Sequence, residues 1–174
     1  AMHMYFTTNH DENAWQGTEF ERLGEYHKTM FVLATTFQNG MPLIYSGQEV
    51  GNTKRLRFFD KDTLNWSNQD LTSFYTQMLK LKHDNKALWN GAAGGKMTLI
   101  ETGNPDQIYA FYREKDGNRV LVFLNFSNKS ITFTPNLEGI NGKYTPLIIG
   151  PELDWSSNPK LTLLPAEFLV VTQK

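Results

Sequence analysis

The triplet Asn9-His10-Asp11 closes a short, largely apolar run from Met2 to Thr8 and stands where a buried strand would hand over to a loop. α/β barrels place catalytic side chains at such junctions, because the strand fixes the backbone while the loop lets side chains reach a ligand. An adjacent carboxylate and imidazole can hold two neighbouring sugar hydroxyls, the carboxylate by accepting a hydrogen bond and the ring by donating one. Such bonds can strengthen as an oxocarbenium ion develops. The same two side chains can instead do no more than hydrogen-bond the backbone of their own loop. Trp15, on that loop, also has two readings: its indole can stack on the apolar face of a sugar or staple the loop to the helix that follows.

Several elements must position these groups. Met2, Met4 and Phe6 alternate with His3, Tyr5 and Thr7, which suits a strand buried on both faces of a parallel sheet. Thr18 and Glu21 have capping-box spacing, and Glu19 adds charge near the positive end of a helix dipole. Phe20, Leu23, Met30, Phe31, Ala34 and Phe37 then recur every three or four residues, predicting one helix over about residues 19–38, ended by Asn39, Gly40 and Pro42. Leu43, Ile44 and Tyr45 read as a second strand, and a polar loop opened by Gly47 and Gly51 reaches about Ser67. Leu71, Phe74, Tyr75, Met78, Leu79 and Leu81 mark a second helix, with Asp70 or Ser67 as its cap. Strand, helix, strand, helix specifies a parallel sheet with right-handed crossovers, but two strands cannot close a barrel.

After Gly94 and Gly95 the apolar period falls to two. Ile108 to Arg113 and Val120 to Phe126 read as hairpin strands joined through Asp116 and Gly117. Met97–Glu101, Ser130–Thr134, Tyr144–Ile149 and Phe168–Thr172 are further strands, spaced as in an antiparallel sandwich. The expected division is therefore an α/β segment over 1–92 and an all-β segment over 93–174.

The 174 residues carry a formal net charge of -1, so no excess of positive potential is available to attract nucleic acid. The densest basic cluster, Lys54, Arg55 and Arg57, reads as a solvated loop. No apolar run approaches the roughly 20 residues that cross a bilayer, so membrane insertion is not expected. The absence of cysteine rules out disulfides and thiolate metal sites and leaves the compartment open. His3, His27 and His83 have no partners at metal-ligand spacing, and Trp66, Trp89 and Trp155 read as packing residues.

Two segments carry a family resemblance. Phe6-Thr7-Thr8-Asn9-His10-Asp11 resembles the fourth signature region of the α-amylase family, glycoside hydrolase family 13, which ends the seventh barrel strand with Asn-His-Asp. Gly40-Met41-Pro42-Leu43-Ile44-Tyr45-Ser46-Gly47-Gln48-Glu49 is similar to that family's segment around strand eight. Two matches in order, at a fitting separation, are far more specific than either alone, and the resemblance continues into an all-β C-terminal domain. It implies the last two βα units of a TIM (β/α)8 barrel followed by an antiparallel β-sandwich.

Carried over by residue, Asp11 resembles the family's third carboxylate, which binds hydroxyls of the sugar being cleaved and helps stabilise the transition state. His10 resembles the histidine contacting the same sugar, and Asn9 a residue that sets the geometry of the strand end. Gln48 and Glu49 are read as groups fixing the loop behind these. The implied ligand is an α-glucan or maltooligosaccharide. Retaining glycosidases need a nucleophile and an acid/base about 5–5.5 Å apart, and neither the Gly-x-Arg-x-Asp motif nor the catalytic glutamate motif is present. The chain alone is thus expected to be inactive. No metal ligand or cofactor is implied here; the loops through which family members often bind calcium precede the matched segments. The open edges of an incomplete barrel are expected to drive self-association.

Two other readings stand beside this one: a carbohydrate-binding or structural module that uses only the β segment, and a cyclodextrin-processing or transglycosylating family member. Titrating residues 96–174 with maltooligosaccharides separates the first, since the hydrolase reading predicts negligible binding there.

Overall fold

A computed structural model describes residues 1–148 and 150–173. It is a mixed α/β structure with antiparallel sheets. Strand β1 (His3–Tyr5) leads into a helical turn at 12–16, then α1 (Glu19–Leu23), α2 (His27–Thr36), β2 (Gly40–Pro42) and, after a long loop, α3 (Thr72–Asp84). Strands β3 (Lys96–Leu99), β4 (Ile108–Lys115), β5 (Asn118–Asn125), β6 (Ile131–Phe133), β7 (Gly142–Pro146), β8 (Leu153–Trp155), β9 (Leu161–Leu163) and β10 (Phe168–Gln173) follow.

β1 and β2 pair in parallel, His3 opposite Gly40 and Tyr5 opposite Pro42. The second strand thus lies earlier than the apolar run Leu43–Tyr45 suggests. Glycine allows the earlier start: a Cβ on Gly40 would sit 2.8 Å from the Tyr5 ring and 2.9 Å from the Ala34 carbonyl oxygen, so only a bare backbone approaches this closely. The Leu43 amide still donates to the Tyr5 carbonyl, adding one bond beyond the strand.

The expected single helix over 19–38 is broken. Gly24 takes φ 53°, outside the helical region, so α1 ends there and a 3-10 turn over Gly24–Tyr26 reorients the chain into α2. The capping box forms as its spacing predicts: the Thr18 hydroxyl accepts from the Glu21 amide, and the Thr18 amide donates to the Glu21 carboxylate. Asn39, at φ 60°, takes the left-handed conformation just past the helix end. α3 has Leu71 as its N-cap and no side-chain cap from Asp70 or Ser67; the Thr72 hydroxyl donates to the Glu49 carbonyl.

The remaining strands form a six-stranded antiparallel sheet, ordered β3-β4-β5-β10-β7-β8, and a separate β6-β9 ribbon. The β4-β5 hairpin turns at Asp116 and Gly117, both at positive φ. Alternation along β5 decides what each sheet face meets. Val120, Val122 and Leu124 pack with Phe31, Val32, Tyr75 and Met78 of the helices, whereas Leu121 and Phe123 pack with Ile131, Phe133 and Leu163 of the ribbon. One core therefore joins the helical segment to the sheet. β8 and β9 were not anticipated from the sequence. Ile149, placed at the end of the predicted strand from Tyr144, lies outside the described residues.

Candidate functional site

The triplet sits just beyond β1, on the side toward which both parallel strands run. Asn9 turns its side chain back to the backbone, its Oδ1 accepting from the Glu12 amide at 2.8 Å, and thereby starts the helical turn at 12–16. His10 and Asp11 lie on the outer side of that turn. Their side chains are 66% and 60% exposed, with His10 Nε2 3.6 Å from Asp11 Oδ2, so both remain free for a ligand. The surface there is open. An apolar groove of about 410 Å³ along the flank of β1, lined by Tyr5, Phe6, Leu23, Met30 and Phe37 among others, includes none of the triplet.

Beneath the turn, Arg22 ties three segments together. It donates to the Thr7 carbonyl at 2.6 Å and the Gly17 carbonyl at 3.1 Å, and pairs with Glu12 at 3.2 Å. Deeper lies a buried polar cluster. Gln48 accepts from the Tyr45 amide at 2.7 Å through Oε1, while its Nε2 lies 2.9 Å from Thr7 Oγ1, 3.0 Å from Glu19 Oε2 and 3.2 Å from Tyr75 Oη. One amide nitrogen has two hydrogens for three acceptors, so the three share it. The cluster joins the ends of β1 and β2 to α1 and α3. Burial pushes the Glu19 carboxyl above its usual value, opposed by hydrogen bonds from Thr7, Gln48 and Tyr75. Burial, reinforced by the Glu19 charge, also raises the Tyr75 phenol. Glu19 Oε1 and Thr8 Oγ1 are buried with no hydrogen-bond partner among the described residues. Glu49 accepts from the Gly47 amide at 3.0 Å and so closes the turn after β2.

Trp15 is 58% exposed and faces Phe58 and Phe59, with ring centroids 5.3 and 6.4 Å away. It makes no ring contact with α1 among those described. Sequence reasoning passed over Arg22, Glu19, Phe58 and Phe59. Glu19 has the spacing of a solvated first-turn acid, and nothing local shows that β2 and α3 will close over it. Phe58-Phe59 inside a polar loop was the one visible signal. Among the described residues, no three His, Asp or Glu side chains gather as a metal site would require.

No family model matches the chain. Its fold is shared with solved amylases over nearly the whole length. A maltogenic alpha-amylase, AmyB from Thermotoga neapolitana, superposes with TM-score 0.77 and 18% identity, over 99% of this chain and 41% of that one. The alpha-amylase of Geobacillus thermoleovorans, complexed with acarbose, gives TM-score 0.75 and 14% identity, over 99% and 39%. The structure thus has the fold of a part of these alpha-amylases. In sequence, alpha-amylase MalA of Haloarcula japonica is 28% identical over 153 residues, 83% of this chain and 22% of the relative. Alpha-amylase 2 of Dictyoglomus thermophilum is 27% identical over 161 residues, again 83% of this chain, and 25% of the relative. In sequence and in fold the chain is thus similar to a part of these alpha-amylases. It spans about a quarter of the length of these curated relatives.

Proposed function

We propose that this chain contributes the end of the catalytic barrel and the following β domain to a retaining α-glucan hydrolase. In this reading β1, α1 with α2, β2 and α3 are the last two βα units, residues 1–92, and residues 93–174 form the β-sandwich domain. The observation that carries it is the placing of Asp11 and His10. Both stand in solvent at the end of a parallel strand, neither spent on its own backbone.

Asp11 accepts hydrogen bonds from hydroxyls of the sugar undergoing cleavage and stabilises the charge that develops on its ring. It does so without attacking the sugar. His10 holds a neighbouring hydroxyl, and Asn9 aims both by fixing the turn. The nucleophile and the acid/base, needed about 5–5.5 Å apart, match no residue of this chain. Incubation with maltoheptaose is therefore expected to give no products above a buffer control. Turnover abolished by Asp11→Asn would show that the roles are wrongly assigned.

The strand pair also leaves Met2, Met4, Phe6 and Met41 exposed. Apolar strand edges of this kind associate, so the chain by itself is expected to sediment as an oligomer through residues 1–92. A monodisperse monomer at micromolar concentration would refute this.

A further inference from the structure

We propose that Asn13 and Arg22 are positioning residues: they brace the turn that carries Asp11, so that its carboxylate meets a sugar hydroxyl in one orientation. This rests on the reading of Asp11 given above. Among the described residues the Asp11 carboxylate has one polar neighbour, His10 at 3.6 Å, which is beyond hydrogen-bond reach. The backbone beneath the side chain therefore sets its direction. That backbone leads into a single helical turn, Glu12–Gln16. Five residues do not hold such a turn by themselves, because nucleating a helix fixes several dihedral angles for one hydrogen bond.

The support comes from outside the turn. Arg22 grips both of its ends with one guanidinium, donating to the Thr7 carbonyl before it at 2.6 Å and to the Gly17 carbonyl after it at 3.1 Å. The same group pairs at 3.2 Å with Glu12, the residue next to Asp11. Asn13, 3% exposed, reaches across to the loop after β2: its Nδ2 donates to the Lys54 carbonyl at 3.3 Å and its Oδ1 accepts from the Leu56 amide at 2.7 Å. Arg55, between those two, donates twice to the Glu21 carboxylate of α1, at 2.9 and 3.0 Å, and so anchors the loop that Asn13 holds.

The turn is thus tied to the end of β1, to α1 and to a loop some 40 residues further on. A carboxylate carried on such a frame is aligned during folding, so binding need not order it again. Neither Asn13 nor Arg22 belongs to the apolar core. Lys54 is exposed and Leu56 half-buried, so water can take over their backbone bonds when Asn13 is replaced.

Calorimetric titration of the whole 174-residue chain with maltoheptaose, arranged as a double-mutant cycle, tests the bracing. Asn13→Leu and Arg22→Lys are each expected to weaken binding about ten-fold, the scale of one hydrogen bond to a charged group, and to speed amide exchange over residues 9–17. Lysine keeps the charge but lacks the fork that reaches two carbonyls at once. In the Asp11→Ala background the same replacements should change affinity by no more than about two-fold, because they act through a group already removed. If the losses add instead, or if both variants bind as the parent does while Asp11→Ala is weakened, the bracing is overturned and the role of Asp11 stands. Arg22→Lys completes the cycle alone if Asn13→Leu does not fold. If Asp11→Ala binds as the parent does, or the parent takes up no maltoheptaose at millimolar concentration, the reading of Asp11 falls and the bracing with it.

Discussion

Where β4 meets the helices, the Arg113 guanidinium is 1% exposed and donates to five carbonyl groups, those of Gly95, Thr36, Phe37, Leu88 and Trp89, at 2.6 to 3.3 Å. Beyond β1, His10 and Asp11 stand mostly in water, beside each other and, for His10, the Phe58 ring. Both regions are polar, yet one spends its hydrogen bonds on architecture and the other keeps them available. Arg113 donates to the Thr36 and Phe37 carbonyls at the end of α2, where the helix leaves carbonyls without intrahelical donors, and so fastens the helices to the sheet. His10 and Asp11 leave that duty to Asn9 beside them and to Arg22 and Gln48 beneath. A polar group is available for a ligand where its neighbours have already satisfied the backbone around it.

The contrast can be broken most sharply at Arg113. Replacement by Met would remove all five bonds and leave the Leu88 carbonyl to Lys82 and the Phe37 carbonyl to the Gly40 amide; a loss of about 2–3 kcal/mol in unfolding free energy is expected by urea denaturation, the scale of buried acceptors left without a donor. A loss below 1 kcal/mol would mean that the guanidinium is incidental.

Glu19 tests the layer between the two extremes. Its carboxyl is raised by burial, so the folded chain keeps its proton at pH values where the unfolded chain has released it. The stability Glu19 contributes is fully present below about 4.5, the ordinary value, and is lost as pH rises through the raised one. Glu19→Gln keeps an acceptor for Gln48 without the titration, so its unfolding free energy relative to the parent should grow from acid to neutral pH. A pH-independent difference would show that Glu19 does not titrate in that window.

The smallest effect belongs to the triplet. Asp11→Asn and His10→Ala should leave the urea midpoint unchanged while altering glucan binding, because exposed side chains contribute little to folding. A clear drop in midpoint would place these residues in the architecture after all.

Much of this arrangement is legible in the order of residues. The capping box at Thr18, the helix from Thr72, the turn at Asp116-Gly117 and the strands around it are local patterns, and local physics forms them where the patterns fall. The Asn-His-Asp triplet stood out at a strand-to-loop junction, but its reading as a sugar site came from the family resemblance. The break at Gly24 was missed, since the apolar stripe continues across it and periodicity cannot see a single positive φ. β2 was displaced because Gly40 owes its place to the Tyr5 ring, a neighbour 35 residues away in the chain.

The sequence by itself determined which residue types stand at the end of the first strand and which periodicities flank them. Only the tertiary structure decided that Glu19 is buried, that Arg113 binds helix ends rather than water, and that Phe58 and Phe59 lie against the loop of Trp15. The reason is physical: propensity and pattern act over a few residues, while burial and hydrogen-bond partners depend on which distant segments close over a side chain.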